Sequence, residues 1–483
     1  MTTMMPTKST MRRSVSVGLF AFAASLAGRP AIAQTRPAPT PNTPSAAPAA
    51  GTPANAEARL PDLLRAKPGA LTAEQVGRRA AQTSYSAKAS EEGIRAAAAR
   101  VDAAWASYLP RITTTARYTR LSDLTPPAAF PFPVVLNQYL LQASIVVPIS
   151  DYFLRINEAY TAVTQAEAAA RADLVAAKAK SAADGKVAYY GWLTARASQV
   201  VAETTLELQK TLVQDAKNQF AAGNASRADV LQAESAVAAA ELTVERAKNL
   251  VKLTERQVRV ALHAPEEEAL APGEDFEAEL PPYRGTLAEL VREAGLSRYE
   301  VKSIDANAES AVAQARAYRG GRLPQVAAFG DVTYANPNQR KFPQLEEWFP
   351  TWAVGAQLVW SPSDILVAGA NGAEADARAA ALVAQKGLVR DGIDLEVTQA
   401  WQAVKEAEFA TETSKRQLES AAEAYRVARE LFTHGRATAT QVREAETAFT
   451  RGRLEALNAR AQSRTGRVRL EHALGRDARE FVK

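Results

Sequence analysis

Phe220-Ala221-Ala222-Gly223-Asn224-Ala225-Ser226-Arg227-Ala228-Asp229-Val230-Leu231-Gln232-Ala233-Glu234 closes one long proline-free stretch and opens another. Its outline returns 212 positions later as Phe432-Thr433-His434-Gly435, then Val442, Ala445 and Glu446. About 70 residues without proline precede each copy, Tyr152 to Phe220 and Ile365 to Phe432. At 1.5 Å per residue each would make a helix on the order of 100 Å, far beyond the globular norm. Gly223 and Gly435 mark reversals, because glycine reaches φ > 0 where a chain must turn. A second helix of about 38 residues returns from each turn. The expected fold is therefore mainly α, with very long antiparallel helices, and it is duplicated.

The returning helices carry a seven-residue pattern. Val230, Val237, Val244, Val251 and Val258 are spaced by seven, with Ala233, Ala240, Ala247, Thr254 and Ala261 three further on. The second copy has Ala445, Gly452, Ala459, Gly466 and Ala473 at the matching small positions. A strict heptad imposes a left-handed supercoil, and small residues let backbones approach. Helix propensity alone would explain the alanines but not Gly452 and Gly466.

Outward from the long helices the duplication continues. Tyr85, Lys88 and Leu109-Pro110 recur at Tyr299, Lys302 and Leu323-Pro324, a shift of 214. Each copy reads helix, two strands, long helix, turn, helix. The first repeat spans 56–263, with a first helix over about 72–106, strands 111–122 and 138–148, and helices 152–219 and 226–262. The second spans 286–475, with strands 324–334 and 351–361 and helices 365–432 and 438–474. An acidic connector, 264–285, joins them, and 476–483 form a C-terminal tail. In the first repeat Ile112, Ala116 and Tyr118 alternate with threonines, and a Pro/Phe-rich loop (Pro126 to Pro133) leads to Tyr139, Leu141, Ala143, Ile145 and Val147 on one face. Val326, Ala328, Val332 and Tyr334, then Trp352, Val354, Ala356, Leu358 and Trp360, repeat the pattern. Strands of this length cross a bilayer when tilted, and equally fit a half-buried soluble sheet.

At the N-terminus Lys8, Arg12 and Arg13 precede an apolar run, Val15 to Leu26, and Ala31-Ile32-Ala33. This is the grammar of a secretory signal peptide over 1–33, followed by a Pro/Ala-rich disordered tether over 34–55. Cysteine is absent, so disulfides, thiolate nucleophiles and a cysteine lipid anchor drop out. Three scattered histidines leave no His-based metal centre, and 58 basic against 53 acidic residues, mixed along the chain, give no nucleic-acid stripe. No nucleophile elbow, P-loop or HExxH occurs, so neither an enzyme nor a cofactor is expected. The connector acids, Glu266 to Glu268, Glu274, Asp275, Glu277 and Glu279, read as a solvated loop or a weak cation site.

The duplicated units after a secretion signal resemble the TolC-like outer-membrane efflux proteins over essentially all of 56–475. The resemblance is carried by Phe220-x-x-Gly223, Asp229-Val230-Leu231-x-Ala233-Glu234 and Ala261-Leu262, and by Phe432-x-x-Gly435, Val442, Ala445-Glu446 and Ala473-Leu474-Gly475. It implies a homotrimer in the outer membrane of a Gram-negative-type envelope, extending into the periplasm. Three protomers would give four strands each to one transmembrane β-barrel, with the helices forming a coiled-coil tunnel continuous with it. It further implies a passive export conduit of a tripartite efflux or type I secretion system, working with a periplasmic adaptor and an inner-membrane transporter. The rival is a non-channel periplasmic coiled-coil adaptor or an envelope structural protein; an adaptor's single hairpin does not match two hairpins each preceded by a strand pair.

The same resemblance names sites. Ala221, Ala222 and Gly223, with Thr433, His434 and Gly435, would form the tip where adaptor hairpins dock, or would simply turn the chain. By alignment the aperture falls on Asp229, Gln441 and Glu444, Glu444 being either a ring of carboxylates or a solvated surface charge. The family's locking arginine falls on Ala437, leaving Arg227 or Arg436 as substitutes. Tyr118, Tyr139, Tyr334, Trp352 and Trp360 would form an aromatic girdle against outer-membrane lipid.

Overall fold

The computed structural model describes residues 66–67, 69–123 and 135–482. The expected signal peptide, the tether and the Pro126 to Pro133 loop lie outside the described residues.

The first repeat opens with α1 (Ala73–Thr83) and α2 (Tyr85–Ala106), followed by β1 (Arg111–Arg120) and β2 (Asn137–Val147). A turn at Ile149–Asp151 and a π-helical turn at Tyr152–Ile156 lead into α3 (Asn157–Ala221), and α4 (Arg227–Leu262) returns. The second repeat has α5 (Leu287–Ser297), α6 (Tyr299–Gly320), β3 (Gln325–Asn336), β4 (Phe349–Val359), α7 (Pro362–Thr433) and α8 (Ala439–Ala473). Where one helix is expected over 72–106, two are found. Ser84 takes extended backbone (φ −55, ψ 130) and its hydroxyl caps α2 by accepting from the Ser86 and Ala87 amides. The second repeat breaks at Arg298, whose buried guanidinium binds Glu300 at 2.9 Å and Glu396 at 3.0 Å.

The core duplicates with the chain. Val76, Tyr189, Trp192, Leu193, Val258 and Leu262 form one cluster around α1, α3 and α4. Leu290, Ile393, Val397, Val404, Leu470 and Leu474 form its counterpart around α5, α7 and α8. Each fully buried aliphatic or aromatic side chain stabilises by roughly 1.5–3 kcal/mol. A third cluster, Leu212, Tyr425, Phe432, Val442 and Phe449, binds α3, α7 and α8 near the reversals. Along α4 every heptad position named above is buried or half-buried. Gly320 ends α6 against the π-turn, where a Cβ would meet the Leu154 carbonyl.

The connector is stapled to the helices. Arg79 grips Glu268 with both terminal guanidinium nitrogens, at 2.5 and 2.7 Å. Arg464 donates to the carbonyls of Asp275, Phe276 and Ala278 at 2.8–3.0 Å, with the Phe276 side chain buried beside it. Glu266, Glu277 and Glu279 pair with Arg256, Arg460 and Lys415. Four of the seven connector acids thus have basic partners, and among the described residues no acidic cluster is suited to a metal ion.

Candidate functional site: the two-faced sheet and the helix reversals

The four strands form one antiparallel sheet in the order β1-β2-β3-β4. Register decides what its faces are. Tyr118 pairs with Tyr139, Ala116 with Leu141, Thr114 with Ala143 and Ile112 with Ile145. Leu141 then faces Tyr334, Ala143 faces Val332, and Val332 faces Trp352. Since alternate residues share a face, the apolar rows of both repeats merge into one surface. It carries Ile112, Leu141, Ile145, Val332, Trp352, Val354 and Leu358, each more than 40% exposed. The opposite face carries Thr113, Thr115, Arg117, Gln138, Gln142, Ser144, Thr333, Thr351 and Gln357. A soluble sheet would cover its apolar face, and here that face is bare. Among the described residues the outer edges of β1 and β4 have no strand partner.

The aromatic side chains gather at the strand ends. Tyr118 and Tyr139 lie 5.1 Å apart between ring centres, and Trp348 contacts Tyr139 at 5.9 Å and Tyr334 at 4.9 Å. Trp348 was not legible as a site residue, because its place depends on the β3–β4 pairing. Trp352 sits a step inward on the same face. Trp360 lies at the helix end of the sheet, where its indole N–H donates to the Arg322 carbonyl at 3.4 Å.

At the other extreme the two reversals share one construction. Gly223 (φ +76) and Gly435 (φ +69) are left-handed. The Gly223 and Asn224 amides donate back to the Phe220 and Gln219 carbonyls, as do Gly435 and Arg436 to Phe432 and Leu431. This is the Schellman closure of a helix end. Ala221, Ala222, Gly223, Thr433, His434 and Gly435 are all exposed there. The next helices start with reciprocal capping boxes, Ser226 with Asp229 and Thr438 with Gln441. Asp229 and Gln441 are thus equivalent positions, each spending its side chain on the cap. Hydrogen bonds from the Ser226 amide and hydroxyl hold the Asp229 carboxyl below the usual carboxylate range, and the positive charge of Arg443 adds to this.

Glu444 is exposed and lines a groove with Gln232 and Ser235 of α4, Gln417 of α7, and Arg443 and Arg451 of α8. Asp229, Gln441 and Glu444 therefore lie within the first two turns of the returning helices. Arg436 lies beside Val427, Glu430 and His434, and Arg227 is an exposed first residue of α4. Arg443 is the cation that Asp229 feels, a residue missed because its equivalent in the first repeat is the apolar Leu231.

Sequence comparison agrees with this geometry. The family model described as outer membrane efflux protein matches residues 76–263 and 290–476, one match for each repeat. Among solved structures, the outer-membrane channel OprN is 19% identical, with a TM-score of 0.71 over 86% of this chain and 95% of that one. VceC of Vibrio cholerae is 18% identical, with a TM-score of 0.69 over 83% and 96%. The CmeC channel of Campylobacter jejuni is 16% identical, with a TM-score of 0.68 over 90% and 94%. At such identities the likeness shows the fold. Among curated proteins nothing matches. The family match covers both halves of the duplication, and the chain belongs to the outer membrane efflux protein family.

Proposed function

We propose that three copies of this outer-membrane efflux channel pair β1 of one protomer with β4 of the next, closing a twelve-stranded barrel. One observation carries this reading: a sheet with a continuous bare apolar face and two unpaired edges. Four strands cannot close on themselves, and an open edge in lipid leaves backbone groups unsatisfied. Tyr118, Tyr139, Tyr334 and Trp348 then mark one lipid interface, with Trp352 just below it and Trp360 toward the other. The helices continue the pore as a passive conduit through the periplasm. The exposed reversals at 221–223 and 433–435 receive an adaptor, which links the conduit to an inner-membrane transporter. Glu444 supplies a ring of carboxylates near that tip. Catalysis has no place in this account, since the transporter supplies the energy.

The chain has no cysteine, which makes the seam directly testable. Cysteines placed singly along β1 and along β4 and combined in one chain should, on oxidation, give covalent dimers and trimers in outer-membrane fractions. Cross-links that never join two protomers would overturn the proposal.

A further inference from the structure

The polar face of the sheet carries few charges, and they do not balance. Among the described strand residues that face holds Arg111, Arg117 and Asp331, while Arg120 falls on the other side. Asp331 is already neutralised by Arg340 at 3.0 Å. Arg111 and Arg117 are both exposed, and neither has an acidic partner among the described residues. Their strand neighbours are neutral: Arg117 lies opposite Leu140, between Gln138 and Gln142, and Arg111 lies opposite Val146. The segment joining β1 to β2, residues 121–136, contains one charged residue, Asp123, and it pairs with Arg120 at 3.8 Å rather than with Arg111 or Arg117.

We propose that Arg111 and Arg117 give the barrel lumen a fixed positive charge that concentrates anions, phosphate- and carboxylate-bearing ones above all, at the outer end of the conduit. The inference rests on the trimeric channel reading. Threefold closure turns the pair into two rings of three guanidiniums, about 20 Å apart along the strands. Guanidinium presents a planar fork of donors that matches carboxylate and phosphate oxygens. The field reaches across a wide lumen only at low ionic strength, the screening length being about 30 Å at 0.01 M salt and about 10 Å at 0.1 M. The conduit is thereby bipolar, with carboxylates near the tip and guanidiniums in the barrel. Anionic cargo meets its favourable region on leaving.

Planar-bilayer recording of the full-length wild-type channel tests this, with inorganic polyphosphate as the probe. Polyphosphate added on the barrel side should block at low salt, and much less from the tip side. Arg111→Gln with Arg117→Gln should weaken that block by roughly tenfold or more, since charged clefts raise local counter-ion concentration by at least that factor. The same change should move the reversal potential in a salt gradient toward cations, and Lys at both positions should restore both properties. Arg117→Gln alone, judged by its heat-resistant trimer, serves if the double variant fails to assemble, and should weaken the block in the same direction. Channels of normal conductance whose block ignores these arginines overturn the assignment alone. A wild-type chain that forms no channel overturns the channel reading and this inference with it.

Discussion

The two long hairpins have nearly the same sequence plan and bury it differently. In the first, the outgoing helix α3 has nineteen buried residues and the returning α4 only six. In the second, α7 has eleven and α8 twelve. Neighbours explain the inversion. α8 lies between α7 and α3, and α6 between α7 and α3, whereas α4 and α2 pack mainly on α3. Repeat symmetry therefore leaves α4 and α2 each short of one partner, and α7 short of the same contacts on its far side. Large exposed apolar residues lie on those helices. Leu231, Leu242 and Leu253 stand eleven apart on α4, Leu388 and Leu395 seven apart on α7, and Trp105 is exposed on α2. On the trimeric reading proposed above, the missing partner of the first hairpin is the second hairpin of another copy.

Two substitutions on α7 break this comparison most sharply. Val404 is fully buried and Leu388 is 72% exposed. Val404→Asp buries an unpaired carboxylate at a cost of several kcal/mol, and no folded chain should be recovered. Leu388→Asp should leave helical content intact and abolish the heat-resistant trimer. A trimer that survives Leu388→Asp places the seam elsewhere.

A smaller effect tests how closely α8 lies on α7. A Cβ at Gly452 would meet the Leu418 Cα at 3.5 Å, and one at Gly466 the Val404 side chain at 3.4 Å. These are ordinary contacts, so alanine fits, and Gly452→Ala should stabilise by up to about 1 kcal/mol through helix propensity. Gly452→Leu must push α7 aside and should cost about 1–3 kcal/mol in urea unfolding. The first repeat holds Ala240 and Thr254 at these positions. Ala240→Leu should therefore cost less than Gly452→Leu, and equal costs would remove the distinction between the hairpins.

Much of this was legible in sequence because it is periodic. Spacings of seven place the α4 stripe, alternation places the apolar rows of the strands, and Gly223 and Gly435 occupy backbone that other residues avoid. What depends on tertiary partners was not legible. No breaker marks Ser84 within an alanine-rich helix, and Arg298 ends a helix only because Glu300, Glu396 and the end of α8 converge on it. Trp348 joins the tyrosines through strand register. Asp229 and Gln441 carried a local signal, Ser-x-x-Asp and Thr-x-x-Gln, whose capping role the family alignment does not convey.

The finest contrast between the hairpins is a single carboxylate. Glu234 and Glu446 are equivalent by repeat, yet Glu234 is exposed and bridges Lys217 at 2.9 Å, while Glu446 is 3% exposed. Glu446 accepts from Gln209 Nε2 and Thr450 Oγ1, each at 2.8 Å, and so ties α8 to α3 with neutral partners only. Thr205 stands behind Thr450, and the buried phenol of Tyr425 faces the site from α7. Burial pushes the Glu446 carboxyl above its usual range, and the two hydrogen bonds offset this only in part. The folded chain therefore holds this proton more tightly than the unfolded chain. Stability from this site is full below the ordinary carboxylate range, falls as pH rises through the elevated folded value, and stays low beyond it. The α3–α8 contact should thus be firmer at pH 5 than at pH 7. Glu446→Gln keeps the shape without the charge, so it should raise the melting temperature at pH 7 and flatten the dependence between pH 5 and 7. Glu234→Gln removes only an exposed pair worth about 0–1 kcal/mol and should leave the pH dependence as it is. Melting curves of both variants in one detergent decide the matter: if they respond to pH alike, burial of Glu446 is not what separates the two hairpins.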